Sequence, residues 1–513
     1  MNEEWLKKNR VVILFAILVL AAFFRLYQIT TIPPGLFSDE AVNGINALEA
    51  IETAPPAGEY KVFYPENNGR EGLFINIQAL SVQIFGNKPW ALRGVSAMFG
   101  IFTVLGLYFL TKELFKKESV ALFASFFLAT SYWHINFSRI GFRAIMAPFF
   151  LVWGLWLLWR LIPKENHEDE FPDSLAQRLH SQQHIEMHRK KIISSSAVFL
   201  AGIVFGLGFH SYIAYRVMPI LLLPAFIILL KDKYFKEMLI FLLGIFIAIM
   251  PLAVYFYVHP AEFLGRTSQV SVFTSPNPLF DLGKNIIFTI GMFFVAGDFN
   301  WRHNFAGAPE LWWPVAVLFL FGIILGIKKI FSRQEKHWLS SANYWLLFLW
   351  LGLALAPVMI SNEGIPHALR AIIVIPAVMI FAALGLDWSL GSLASKWKLS
   401  FQKISLLVFV LFALITLQTF NQYFVKWANN PNVPSAFSKD AADTANYLNS
   451  LPKETLKYVV MESENQNAPM SINTVMFLTN TYLEKFQKEK NINYIFKKDV
   501  GLVPSGAIKV WIR

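Results

Sequence analysis

About eleven apolar blocks of membrane length recur along the chain, and they restrict its fold more than any other feature. "VVILFAILVLAAFF" and "MLIFLLGIFIAIM" are typical. A helix crosses a hydrocarbon core of ~30 Å with ~20 residues. Lipid offers the backbone no hydrogen-bond partners, so such blocks must be helices. The predicted spans are about 11–29, 90–110, 119–136, 144–162, 194–211, 217–231, 236–258, 311–328, 341–360, 367–386 and 401–422. Two shorter stretches, 73–86 and 286–297, suit helices at the interface or dipping part-way in. Composition agrees: 55% of the 513 residues are hydrophobic and only 15% charged. Arg25 and the spans that follow favour retention of the first block over cleavage as a signal.

The net charge of +11 is unevenly placed. With the N-terminus inside, the inner segments hold nearly twice as many Lys and Arg as the outer segments before the tail. The positive-inside rule then puts the N-terminus in the cytoplasm. The basic balance thus reports topology, and nucleic acid is not an expected partner. The absence of cysteine excludes disulfides and thiolate metal sites. After about 424 the chain turns polar. "SKDAADTANYLNSL" has a helical pattern, and "LKYVVM", "INYIF" and "AIKVWI" read as strands. The expected organisation is a membrane domain over 1–423, with an outer loop 30–89 carrying juxtamembrane helices, and a small extracytoplasmic α/β domain over 424–513. The inner loop 163–193 carries His167, His180, His184 and His188 at helical spacing, which reads as a solvated or membrane-surface helix.

Uncommon polar residues gather in the outer loops. In "PPGLFSDEAVNGINALEA", Ser38 is placed to cap a helix running to about Glu52. Asp39, Asn43 and Asn46 make one polar face. Glu40 points ~100° away from Asp39, so the two carboxylates cannot pair with each other. Asp39 is therefore the candidate for a site-facing acid. "NNGREGLF" adds Glu71; "HINFSRIGFRAIMAP" adds Arg139 and Arg143, i and i+4 if the helix continues. "GFHSYIAYRVMP" adds Tyr212, Tyr215 and Arg216. "VAGDFNWRHNFAGAPELWWP" adds Asp298, Arg302, His303 and Asn304; "SNEGIPHALR" adds Glu363, His367 and Arg370. Arginine forks suit a phosphate. All these clusters fall on one membrane face by the assigned topology. A polar cavity there, with several arginines and a placed acid, suits a phosphate-bearing lipid and a reaction needing a base.

The layout resembles the GT-C membrane glycosyltransferases, in particular the protein O-mannosyltransferase and lipid A aminoarabinose transferase group. The resemblance rests on "SDE", "REGLFINIQALSVQIFG", "ALRGVSAMFGIFTVLGLYFLTKELF", "SRIGFRAIMAPFFLVW", "GDFNWRHNFAG" and "PHALRAIIVIPAVMIFAALGL", and runs over about 11–423. Where relatives often have Pro-Pro after the first loop, this chain has Glu71-Gly72. The resemblance implies an all-α polytopic fold and inverting transfer of a sugar from a polyprenyl-phosphate donor to a protein, lipid or glycan acceptor outside the cytoplasm. It makes Asp39 the candidate base and implies donor-site roles for Glu71, Arg139, Arg143, Arg302 and Arg370. Arg216 joins the phosphate candidates, and Glu40, Asn43, Tyr212, Tyr215, Asp298, His303, Asn304, Glu363 and His367 those for substrate or metal. A divalent metal held by Asp39, Glu71 or His303 is compatible with this chemistry, which does not require one. A transporter or flippase of polyprenyl-linked glycans is the alternative. It predicts charge near mid-membrane and repeated halves, whereas the spans are nearly free of charge and show no repeat. A receptor or scaffold leaves the polar loop clusters without a purpose.

Overall fold

The computed structural model describes residues 3–52, 59–161, 194–231, 233–269, 271–332, 338–463 and 468–513. The loop histidines 167, 180, 184 and 188 lie outside them. Among the described residues nine helices are long and apolar enough to cross a membrane: Glu3–Leu26, Pro89–Phe115, Arg143–Leu161, Ile213–Lys231, Phe235–Val258, Trp313–Ile330, Ser341–Met359, Ile372–Trp397 and Phe401–Trp427. Glu118–Thr130 and Tyr132–Ser138, bent by 59°, make a tenth when taken as one broken span. The eleventh expected span corresponds to Ser195–His210, which is apolar but shorter. The chain is a multi-pass membrane protein. Val11, Val12, Phe15 and Val19 project from the first helix unburied, as lipid-facing residues must. Ile372–Trp397 runs through the middle of the bundle, with 83% of its apolar window buried.

The broken span has a physical cause. Ser131 is extended, and its hydroxyl accepts the His134 amide at 3.3 Å, capping the second piece. The break leaves the last carbonyls of the first piece without helical partners. Arg25 answers them, donating to Leu128 O at 3.2 Å and Ala129 O at 3.1 Å from a fully buried position.

On the face of the bundle that carries the long loops, Ser38–Glu52 and Gly72–Phe85 pack on each other, joined by a two-residue hairpin pairing Phe63–Tyr64 with Arg70–Glu71. Gly72 donates its amide to Val62 O at 2.7 Å, and a Cβ there would lie 2.0 Å from Lys61 O. That approach explains a glycine where the resemblance led one to expect proline, which has no amide to donate.

The tail forms a three-stranded parallel sheet, ordered Ile492–Phe496, Lys457–Met461, Ile508–Ile512, with helices Lys439–Ser450, Ile472–Thr479 and Glu484–Lys490. The three strands coincide with those read from the sequence. The tail does not hang free. Phe477 is buried with Leu36, Ala41, Leu48 and Leu92, and its ring occupies the space that a Cβ on Gly44 would need. Thr474 Oγ1 donates to Leu36 O at 2.9 Å.

Candidate active site

The helix Ser38–Glu52 begins differently from the sequence reading. Ser38 is its first helical residue, not its cap. The Phe37 amide instead donates to Glu40 Oε2 at 3.2 Å, so the third helical residue reaches back as in a capping box. The same carboxylate accepts Arg93 Nε at 2.9 Å and the Gly141 amide at 2.7 Å, entirely buried. Arg93 is held in turn by Pro33 O at 2.7 Å and Gly35 O at 2.9 Å. Glu40 is thus a structural anchor and is withdrawn as a substrate or metal ligand.

Asp39, one residue earlier, is half-buried and accepts Asn67 Nδ2 at 2.9 Å. The rest of its polar stripe clamps one guanidinium. Arg70 donates to Asn43 Oδ1 and, at 2.6 Å, to Asn46 Oδ1. Asn43 Nδ2 also reaches Gly141 O at 2.9 Å, so this asparagine is a brace between loops. Burial pulls the Arg70 pKa down to about 10, with neighbouring Arg143 adding to the shift and Asp39 opposing it.

Arg139 and Arg143 do not form one fork, because helix Tyr132–Ser138 stops before them. Arg139 is buried and turned inward. It donates to Phe24 O at 2.9 Å, Tyr27 O at 2.7 Å and Ile32 O at 2.8 Å, and lies over the rings of Tyr423 and Phe424. It caps the end of the first helix, where a cation is favoured, and is withdrawn as a phosphate ligand. Arg143 Nε pairs with Glu71 at 2.7 Å. Arg216 feels the charges of both; it stacks on Phe263 and donates to Phe263 O at 2.7 Å. Tyr215 is fully buried, its hydroxyl on Phe205 O at 3.0 Å, and is withdrawn. Tyr212 is half-buried near the same corner.

Arg302 crosses from the opposite side. Its guanidinium lies 3.7 Å above the Phe37 ring, two residues before Asp39. Nε donates to Asn300 Oδ1 at 3.3 Å, and the terminal nitrogens have no hydrogen bond to any described residue. Burial lowers its pKa, while Asp39, Asp298 and Glu40 work against that shift. In the same loop Asp298 accepts His303 Nδ1 at 2.9 Å and the Ala368 amide at 2.9 Å. Burial alone would raise the Asp298 pKa; the His303 hydrogen bond and the two nearby imidazoles bring it below the ordinary carboxyl value. Asn304 is buried and shapes the loop through Ala308 O at 2.6 Å, so it too is structural. Arg370 donates to Ser361 Oγ, Glu363 O at 2.7 Å and Glu363 Oε2 at 2.5 Å, so its fork is already occupied by protein.

The loops thus bring Asp39, Arg70, Arg143, Glu71 and Arg302 together at one end of the bundle, with Asp298, His303 and His367 beside Arg302. A cleft of about 290 Å³ opens next to Asn67, walled by Asn46, Glu49 and Glu66 and, from the tail, Met470 and Asn473. Arg70, next to Glu71 in "NNGREGLF", reads in the sequence as an interfacial anchor, and the structure shows it clamping Asn43 and Asn46; Asn67 of the same stretch has no spacing that would mark it. Glu310 closes the polar stretch "VAGDFNWRHNFAGAPELWWP", and its place at the edge of the predicted span 311–328 gives no sign that it is buried. It is buried and accepts the Asp298 amide at 3.0 Å, and burial raises its pKa well above the ordinary value.

Comparison with known proteins gives a consistent answer. Residues 73–170 match the family described as dolichyl-phosphate-mannose-protein mannosyltransferase. A putative mannosyltransferase, YkcB of Bacillus subtilis, is 27% identical over 165 residues, which is 31% of this chain and 22% of that protein. The match thus spans about a fifth of that relative's length. Among solved structures, ArnT from Cupriavidus metallidurans bound to undecaprenyl phosphate superposes with a TM-score of 0.58 at 13% identity, over 100% of this chain and 93% of that one. The oligosaccharyltransferase AglB from Archaeoglobus fulgidus, in complex with an inhibitory peptide and a dolichol-phosphate, gives 0.54 at 14% identity, over 97% and 70%. The chain has the GT-C glycosyltransferase fold. In this chain the loop helix bearing Asp39 and the loop bearing Arg302 meet at the end of the membrane bundle. The family match at 73–170 covers the helix after Glu71 and the segment carrying Arg143.

Proposed function

We propose that the protein is an inverting membrane glycosyltransferase that moves a sugar from a polyprenyl-phosphate donor to an acceptor at the extracytoplasmic face. The observation that carries this reading is Arg302 lying over the Phe37 ring within electrostatic reach of Asp39, with the Arg143–Glu71 pair nearby. The relatives support the donor class, since the matched family is described by a dolichyl-phosphate sugar and the ArnT structure holds undecaprenyl phosphate. The side charge bias supports the orientation.

In the reaction the acceptor oxygen attacks the sugar's anomeric carbon. Its proton passes to the Asp39 carboxylate. The bond from that carbon to the phosphate oxygen breaks, and polyprenyl phosphate leaves with the electron pair. Arg302, Arg143 and Arg216 stabilise the departing charge. The cleft lined by Asn67, which hydrogen-bonds Asp39, is the route we assign to the acceptor, and one of its walls belongs to the tail. Purified protein incubated with a panel of polyprenyl-phosphate sugars should release free polyprenyl phosphate from at least one, and faster when acceptor is present. Failure to turn over any member of the panel, by protein that is folded and binds polyprenyl phosphate, rejects this function.

A further inference from the structure

Asp298, His303 and His367 each offer one ligand atom to a common point, and the three atoms lie within 4.8 Å of one another. They come from two loops far apart in sequence. Asp298 Oδ2 lies 2.9 Å from His303 Nδ1 and 3.8 Å from His367 Nδ1. The Arg370 amide donates to His367 Nδ1 at 3.4 Å. That nitrogen is therefore unprotonated, with Asp298 Oδ2 beside it.

We propose that Asp298, His303 and His367 bind one transition-metal ion of the zinc class. Bonds of ~2.0–2.2 Å in a tetrahedral site place neighbouring ligand atoms ~3.3–3.5 Å apart. The two separations from Asp298, 2.9 Å and 3.8 Å, bracket that value, and all three ligand atoms lie within 4.8 Å, so the side chains must draw together to complete the site. Two imidazoles and one carboxylate select zinc-like ions over magnesium or calcium, which prefer oxygen alone. The carboxylate is already oriented: the Asn300 amide holds Oδ1 at 2.8 Å and the Ala368 amide holds Oδ2 at 2.9 Å. On binding, His303 Nδ1 loses its proton to solvent and the ion replaces the hydrogen bond to Asp298. The ion ties the loop of Arg302 to the loop of Arg370. It positions these arginines, and no step of sugar transfer runs through it, so this inference stands apart from the proposed function.

The test uses the full chain without a polyhistidine tag. His167, His180, His184 and His188 are replaced by Ala to remove a second source of imidazole. Titration with Zn(II), followed by calorimetry, and with Co(II), followed by its visible ligand-field bands, should each show one saturable ion per chain. His303→Ala and His367→Ala should each weaken binding by more than about 10-fold, while His259→Ala leaves it unchanged. Absence of saturable one-to-one binding in the parent protein overturns the site, whatever the variants do. Equal affinity in the parent, His303→Ala and His367→Ala overturns it as well.

Discussion

At the residue scale, Asp39 and Glu40 stand one step apart on a helix and ~100° apart around it, and that rotation gives them different surroundings. Glu40 is sealed against Arg93, and Asp39 stays half-buried beside Asn67. Removing one partner of a buried pair leaves the other uncompensated, at a cost of about 3–5 kcal/mol. Glu40→Gln and Arg93→Met should each lower stability by that order in detergent unfolding, and the two together should cost less than the sum of the single losses. Additive losses in the double variant would contradict the pairing. Arg302 has terminal nitrogens to spare, so Arg302→Ala should weaken donor binding by about 1–3 kcal/mol, as for a lost charge-assisted hydrogen bond. Lys should restore only part, since it cannot fork. Glu310 yields a pH signature. Burial, with the charge of Asp298 adding to it, raises its folded pKa above the unfolded value. Its stability contribution is full at low pH and is lost as pH rises through the folded pKa. Glu310→Gln keeps the acceptor for the Asp298 amide and removes this loss. The Tm advantage of the variant should therefore grow from acid to alkaline pH, and a constant difference would refute the assignment.

At the scale of elements, the loop-face arginines divide by what they hold. Arg25 and Arg139 answer carbonyls at the ends of helices, Arg93 neutralises Glu40, Arg70 clamps two asparagines, and Arg370 is closed on Glu363. The charge rule drew attention to all of them, but a positive residue on the depleted side can equally be a helix cap. Sequence has no means of telling these apart, because the carbonyls that Arg139 meets lie more than a hundred residues away. The tail is a second case. On sequence alone the tail shows no polar cluster like those of the outer loops and so no part in donor hydrolysis. The structure packs Phe477 and Thr474 against the helix that carries Asp39. Truncation at Lys426 exposes the apolar patch of Leu36, Leu48 and Leu92 and loosens that helix, so it should reduce hydrolysis. A Cβ on Gly44 would stand 2.5 Å from the Phe477 ring. Gly44→Val should detach the tail, seen as faster proteolysis between 424 and 438, and Phe477→Ala in the same chain should partly reverse it.

At the scale of the whole molecule, the helical membrane architecture and the three tail strands were legible because each announces itself locally, by length of apolar run or by alternation. The site was legible only in part. Asp39, Glu71, Arg143 and Arg302 stood out as charge in loops, and the bundle brings them together. Arg70 and Glu310 stand in polar stretches, but the sequence does not say which partners they meet; Asn67 carries no spacing signal, and Tyr215 looked polar but turned inward because its hydroxyl finds Phe205 O. Orientation in the membrane can be read from single cysteines in this cysteine-free chain. Ser395→Cys and Ser450→Cys are both at exposed positions and should label from opposite sides. Labelling from the same side would remove the argument for an extracytoplasmic site. The central claim is that the loop helix presents Asp39 to the donor sugar as the base. Its most direct test is single-turnover transfer by Asp39→Asn to an acceptor whose nucleophile is an alcohol, with donor binding measured on the same sample. The account predicts unchanged donor affinity and a transfer rate lower by roughly 10²–10⁴-fold; transfer near the wild-type rate would contradict it.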